Sequence, residues 1–286
     1  MPGARGSIDR RRLGIELRRL REAKGLTLDQ VKAEYGWSTS KVSRMERGLV
    51  PVSPADLRHL IQFYDVREQA DMDALLALAS GTRGRDWWHR YDDVIPRQFS
   101  VYLGFEAAAS SVHTYEPNVV PGLLQTSNYA RALVDAVGDA QTEQEAARRV
   151  EAREYRQQIL QGEDAPRLHA IIDDGVLRRL VGGRDVMHGQ LVHLAEASRR
   201  PNVTVQVVPF AAGAHMAMEG GFIILRFAGA DDGDVVSVDL RTRSLYLDDL
   251  REVEMYRDAW ESVLAVAASP MQSQQLISSA AEELKK

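Results

Sequence analysis

Residues 26–48 read LTLDQVKAEYGWSTSKVSRMERG, from Leu26 to Gly48, and their spacing predicts two short helices joined by a tight turn. Thr27 is placed to cap the first helix, because its hydroxyl can accept from an otherwise orphan backbone N–H. Leu28, Val31 and Tyr35 then recur at helical spacing on one face. Gly36 ends that helix, since glycine takes the left-handed conformation without strain. Trp37 follows, and Ser38 caps a second helix, 38–47, in which Val42 and Met45 face inward with Trp37. Thr39, Ser40, Lys41, Ser43, Arg44 and Arg47 are left facing outward, and Gly48 ends the helix.

An outward face of hydroxyls and cations suits a helix that lies in the major groove of double-stranded DNA. Arginine and lysine reach the acceptors of guanine, serine and threonine adapt to either role, and no carboxylate on that face repels phosphate. The competing reading is a solvated face on an ordinary helical hairpin. The stretch resembles the helix-turn-helix of the XRE family, the phage-repressor-like regulators. The shared pattern is L-T-x-x-x-[VL]-x-x-x-x-G-x-S-x-S-x-[VI]-S-R-[IM]-E-x-G. It is carried here by Leu26, Thr27, Val31, Gly36, Ser38, Ser40, Val42, Ser43, Arg44, Met45, Glu46 and Gly48. Lys32 departs from the small residue usual at that position, and its ammonium can extend outward along its stem. The resemblance implies that Thr39, Ser40 and Arg44 meet base edges, and that Lys41, Ser43, Arg47 and the Thr27 cap lie by phosphates or the groove rim. It also implies an ion pair between Arg21 and Glu46 across the core of the head. A homodimer on a roughly palindromic operator is the expected assembly.

Working outward, charge supports a nucleic-acid head on a different body. Residues 1–50 hold 12 Lys/Arg and 6 Asp/Glu, a balance of +6, and the remainder holds 24 against 35, or −11. A basic module on an acidic carrier fits groove binding. There is no cysteine, hence no disulfide and no thiolate metal site, in keeping with a reducing cytoplasm. No window approaches the length of apolar chain that spans a bilayer, and MPGARGSIDRRR lacks the apolar core of a secretory signal. The expected location is the cytoplasm, with no membrane partner.

A helix is predicted over Arg11 to Lys24, burying Leu13, Leu17, Leu20 and Ala23 and ending at Gly25. Ser53–Pro54 opens a fourth helix to about Tyr64, burying Leu57, Leu60, Ile61 and Tyr64. A fifth runs from about Glu68 to Ser80 with Met72, Leu75, Leu76 and Leu78 inside. Five helices make a head over 1–80, and GTRG at Gly81 to Gly84 reads as a linker. Trp87–Trp88 reads as a packing anchor, with a ligand cage or a base-stacking platform as alternatives. Helices are then expected over Glu106 to Tyr115, Ser127 to Val137, Thr142 to Gln161, Val176 to Leu180 and Val186 to Arg199. Strands are expected at Leu168 to Ile172, Val203 to Val208, Phe222 to Phe227, Val235 to Leu240 and Leu245 to Leu247. Two last helices follow, Asp248 to Ala268 and Ser269 to Glu283. The fold class is mainly α with a mixed α/β second domain over 81–286, holding four or five strands.

The second domain also carries a resemblance. Its segments are WWHRYDD; FEAAA near Glu106; Tyr115 to Leu133; LHAIID near Asp173; Gly182 to Leu194; and Pro201 to Phe210. They are similar to the C-terminal domain of actinobacterial XRE-type regulators often described as antitoxin-like. That resemblance implies a regulator whose gene often sits beside one for a small partner protein, and implies no chemistry. The alternative reading is an antitoxin-like interaction protein that neutralises such a partner and regulates its own gene.

Catalysis is not expected. His188 and His193 are five apart, off one helix face, and no H-E-x-x-H, C-x-x-C, G-x-S-x-G or phosphate-cradling glycine loop occurs. Asp231, Asp232 and Asp234 lack the order of a calcium loop and read as a hairpin turn. Gly182–Gly183 reads as a turn, and Gly213 to Gly221, GAHMAMEGG, is an apolar glycine-bounded loop able to cover a pocket. No cofactor, metal or catalytic residue is assigned; a ligand of the second domain remains open beside a protein partner.

Overall fold

The computed structural model describes residues 10, 13, 14, 17, 18, 20–66, 72, 75, 76, 79, 87–91, 93–95, 97–138, 140–228 and 233–285. They fall into two compact units, one within Met1–His89 together with Ser100–Ala108, the other Arg90–Phe99 with Ala109–Lys286. The linker expected at Gly81 to Gly84, the boundary after residue 80, and Leu78 lie outside the described residues.

The first unit is helical. Helical residues 10, 13, 14, 17, 18 and 20–23 make up α1. Three helices follow: α2 (Leu28–Tyr35), α3 (Thr39–Glu46) and α4 (Pro54–Phe63). Helical residues 72, 75, 76 and 79 make up α5. Leu13, Leu17, Val31, Val42, Met45, Leu57, Leu60 and Ile61 form one buried cluster, with Leu75 in it and Met72 and Leu76 only partly covered. Ala23, expected inside, is exposed. It adjoins the turn at Gly25, where the chain already leaves the α1 face through a left-handed residue. Trp88 is buried and Trp87 half-buried, their rings edge-on with centroids 5.8 Å apart. A buried ring with a second ring edge-on to it is the arrangement of a packing pair.

The second unit is a mixed sheet with helices. Its six strands are β1 (Ser111–Glu116), β2 (Arg167–Asp173), β3 (Val203–Val208), β4 (Phe222–Arg226), β5 (Val235–Leu240) and β6 (Arg243–Leu247). The order across the sheet is β3-β2-β1-β4-β5-β6. β1, β2 and β3 run parallel, in register Thr114↔Ala170 and Ala170↔Val205, and β4, β5 and β6 add antiparallel. Parallel neighbours need long crossovers. These are α7 (Ser127–Val137) and α8 (Glu143–Gln157) between β1 and β2, then α9 (Asp174–Arg178) and α10 (Arg184–Ala197) between β2 and β3. The chain closes with α11 (Leu250–Val266) and α12 (Pro270–Leu284).

Two expectations fail here, for one reason. Glu106 to Tyr115 is not a helix: α6 (Arg97–Ala108) ends at the alanines, and residues 111–116 are β1, the strand between β2 and β4. The run EAAASSVHTY has alanine-rich helix propensity. A central strand covered on both faces shows no alternation to oppose it: Val112, Thr114 and Tyr115 are all buried. That strand also raises the number from four or five to six.

One face of the sheet packs on α11. Val253, Trp260 and Val263 meet Tyr115, Ile171, Phe222, Ile224 and Val236. Two histidines lie under Trp260: His113 of β1, with ring centroids 4.9 Å apart, and His169 of β2, at 5.0 Å. His169 Nε2 is 2.7 Å from Gln206 Oε1. Burial, then Arg226, His169 and Arg167, hold His113 down to about 4, from 6.5. Burial also lowers His169, partly offset by Gln206 and Glu261. Both folded-state values lie below the unfolded one, so this stability is present above pH 6.5 and is lost as pH falls from there through about 4. Urea midpoints measured downward from pH 7 are expected to fall through this range, and to fall less steeply in His113→Phe. Parallel pH profiles for the two proteins would contradict the assignment.

Candidate nucleic-acid interface

Local chemistry sets both helices of the 26–48 stretch. Thr27 Oγ1 accepts from Gln30 N at 3.2 Å while Thr27 N donates to Gln30 Oε1 at 2.7 Å, a reciprocal capping box at the start of α2. Gly36 ends α2 in the left-handed region. Ser38 Oγ then accepts from Lys41 N at 3.1 Å and opens α3. At the other end Gly48 N donates to Met45 O, and Leu49 N to Arg44 O. This is a closing motif that needs the positive φ of Gly48. The eight residues of α3 therefore start and stop by their own caps.

The face of α3 follows from helical spacing. Ser40, Arg44 and Arg47, four and three apart, share one side and are exposed. Val42, Met45 and Glu46 are buried on the other. Thr39, Lys41 and Ser43 sit half-buried on the flanks, and Thr27 is exposed at the mouth of α2. The first turn of α3 holds no acidic residue of its own, so no carboxylate of this helix opposes its positive end. Among the described residues Arg44 makes no ion pair. Lys32, at the departure from the XRE pattern, is exposed.

Lys41 is the member of the set already occupied. Its Nζ lies 3.3 Å from Asp56 Oδ2, at the first turn of α4, and 4.2 Å from the centroid of the Trp37 ring. Trp37 in turn stacks on Tyr35, with centroids 4.8 Å apart. Sequence reading missed Asp56 because nothing local links residues fifteen apart; only the placement of α3 beside α4 brings them together. The pair is partly exposed, so it adds about 0.2–1 kcal/mol at most. Asp56→Asn is expected to free a cation, tighten DNA binding up to about fivefold at low salt and steepen its salt dependence. Weaker binding in a titration would show instead that Asp56 holds Lys41 in its working position.

Behind the face, α3 is anchored by charge. Arg21 of α1 meets Glu46 through two bonds, Nε to Oε1 at 2.6 Å and Nη2 to Oε2 at 2.9 Å. Its Nη1 donates to Leu26 O at 2.8 Å. One guanidinium thus ties together α1, the turn before α2, and the end of α3. Forked geometry of this kind fixes direction as well as distance. Tyr64 is buried beside the pair; burial, then the Glu46 carboxylate, push its phenol well above the usual range. Gly14 was missed by sequence reading, although it closes the same joint. A Cβ there would meet Glu46 O at 2.5 Å and Met45 O at 2.6 Å. α1 therefore crosses the last carbonyls of α3 at backbone contact, which only glycine permits.

Of the other residues weighed for chemistry, Asp231 and Asp232 lie outside the described residues, while Asp234 and the Gly182–Gly183 turn have structural roles. Asp234 is buried and takes Arg257 at 2.6 Å and Arg226 at 3.6 Å, so it is spent on an ion pair. Gly182 and Gly183 have positive φ, and Arg184 donates to the Glu283 carbonyl at 3.2 Å. Among the described residues no group of three or more His, Asp or Glu is placed to hold a metal ion. No helix among them is long and apolar enough to cross a membrane.

Comparison with known families divides the chain in a similar way. Residues 12–75 match the family described as Helix-turn-helix domain. Residues 99–279 match the one described as Domain of unknown function (DUF5753). No curated protein and no solved structure matches the chain. The first match spans α1 to α4 with Thr27, α3 and the Arg21–Glu46 pair, and supports an XRE-like DNA-binding regulator. The second covers more than half of the 286 residues, and the chain belongs to the DUF5753 family, with a helix-turn-helix domain at its N-terminal end.

Proposed function

We propose that this protein is a cytoplasmic, sequence-specific transcriptional regulator that binds operator DNA as a homodimer and does no catalysis. The observation that carries this is the face of α3. Ser40, Arg44 and Arg47 stand exposed on one side with no carboxylate among them, and Arg21–Glu46 holds the opposite side. Thr39, Ser40 and Arg44 are assigned to base edges in the major groove, and Lys41, Ser43, Arg47 and Thr27 to phosphates and the groove rim. Half-sites in a two-fold complex lie about 34–36 Å apart, one turn of DNA. The second unit is assigned to dimerisation and to sensing a protein partner or ligand.

Two variants separate reading from steering. Arg44→Ala is expected to cost about 1–3 kcal/mol on the preferred operator and to relax preference at one base pair of each half-site. Arg47→Ala is expected to weaken all sequences alike and to lower the salt slope by about one unit. Mobility shifts on operator and scrambled DNA, repeated over a range of salt, check both. Uniform loss in Arg44→Ala would remove it from the base-reading set.

A second reading is an antitoxin-like protein that neutralises a small partner encoded by an adjacent gene and uses DNA binding only to regulate its own synthesis. The exposed methionines of the second unit favour it, since such side chains suit protein contacts. Co-purification with the adjacent gene's product would support this reading over the first.

A further inference from the structure

The connection from β3 to β4, residues 209–221, is built unlike a loose loop. His215 Nδ1 accepts from Ala217 N at 3.2 Å, and the His215 ring packs edge-on to Tyr115, with centroids 5.5 Å apart. Ala217 is buried in the cluster of Val253, Ala259 and Trp260. Met216 N donates to Ser262 Oγ at 3.2 Å. The short turn Met216–Glu219 is thereby pinned along α11, with Gly213 and Gly220 at positive φ on either side. Yet the side chains flanking the buried Ala217 point out: Met216 is 61% exposed and Met218 66%.

A third exposed methionine, Met255, lies on α11, the helix to which this turn is pinned. Met255, Ala259 and Ser262 fall on one stripe of α11 at i, i+4 and i+7, and Ser262 is where Met216 is tied. Met255 is 69% exposed. A fixed backbone bearing three exposed, unbranched, polarisable side chains can remould its surface to a partner without moving its frame.

Charge says what kind of partner. Glu219 and Glu252 both lie near Tyr256, and each raises its phenol in addition to the larger effect of burial. Glu254, Asp258 and Glu261 are exposed on α11. From Asp248 to Ser262 the sequence carries six carboxylates and two arginines, one of which, Arg257, is held by Asp234. A second copy of this chain would bring the same acidic rim against itself, which like-charge contact disfavours.

We propose that Met216, Met218 and Met255 form a docking surface for a basic amphipathic helix of a partner protein. An apolar stripe covers the methionines, and lysines or arginines meet Glu219, Glu252 and Asp258. This rests on the reading of the second unit as the partner-sensing part and is independent of what α3 reads. The test uses the full chain and two synthetic helical peptides with the same leucine stripe, one with lysine and one with glutamate on the polar face. Binding is followed by fluorescence anisotropy, with operator DNA shifts run on the same samples. The leucine–lysine peptide is expected to bind, with affinity falling as salt rises, and the glutamate peptide not to bind. Met216→Gln/Met218→Gln/Met255→Gln should lose about tenfold in peptide affinity, and Glu252→Gln/Asp258→Gln should flatten the salt dependence. DNA binding should be unchanged in both. Equal peptide binding by the methionine variant overturns the proposal. So does equal binding of the glutamate peptide, or a dimer in sedimentation equilibrium that the methionine variant dissolves. Failure of the unsubstituted chain to bind DNA while it binds the leucine–lysine peptide would count against the α3 assignment alone.

Discussion

Arg21→Met is expected to destabilise the first unit by about 3–5 kcal/mol, because it strands the buried carboxylate of Glu46 without a partner. The geometry is specific: both Glu46 oxygens are taken by one guanidinium, and that group also closes on the Leu26 carbonyl. Removing it leaves a charge in a cluster of Leu17, Met45 and Tyr64, where water cannot replace the lost bonds. The double variant Arg21→Met/Glu46→Leu should recover most of the stability, since apolar pairs of similar volume often replace buried ion pairs at little cost. It should not recover full DNA affinity, because nothing then sets the direction of α3 against α1. Urea unfolding followed by circular dichroism, with operator binding on the same proteins, separates the two effects. Full recovery of both would reduce the pair to a stabilising contact with no part in aiming α3.

Gly14→Ala is expected to cost about 3 kcal/mol, at the upper end of overpacking. The added carbon would press on Glu46 O and Met45 O at 2.5 and 2.6 Å. Those are backbone atoms within two residues of Arg44, so neither can swing aside as a side chain would. Relief requires α1 to lift from α3, and the expected signature is a lower unfolding midpoint together with weaker binding on operator and scrambled DNA alike. An unchanged midpoint would mean that α1 and α3 lie further apart than described.

Much of this was legible in the residues because local chemistry set it. The caps at Thr27 and Ser38, the left-handed glycines at 36 and 48 and the inward Val42 and Met45 all act within a few positions along the chain. The same holds for α7, where Thr126 caps and Gly138 ends the helix, and for the Glu145–Arg149 pair at 2.8 Å in α8. Legibility failed where the cause was distant. β1 looked helical because a strand covered on both faces has no period of two to announce it. Asp56 was invisible as the partner of Lys41, and Gly14 as a contact point, because each depends on how helices cross rather than on spacing. The half-buried His113 and His169 gave no signal either: they come together only through the parallel register of β1 and β2.

The most direct test of the central claim is selection of bound sites from random duplex DNA by the purified full chain, run in parallel with Arg44→Ala. Recovery of a two-fold motif with half-sites one helical turn apart, and loss of preference at a single base pair per half-site in the variant, is the result expected of an α3 that reads the major groove. Recovery of no motif, or a variant motif unchanged at every position, would contradict it.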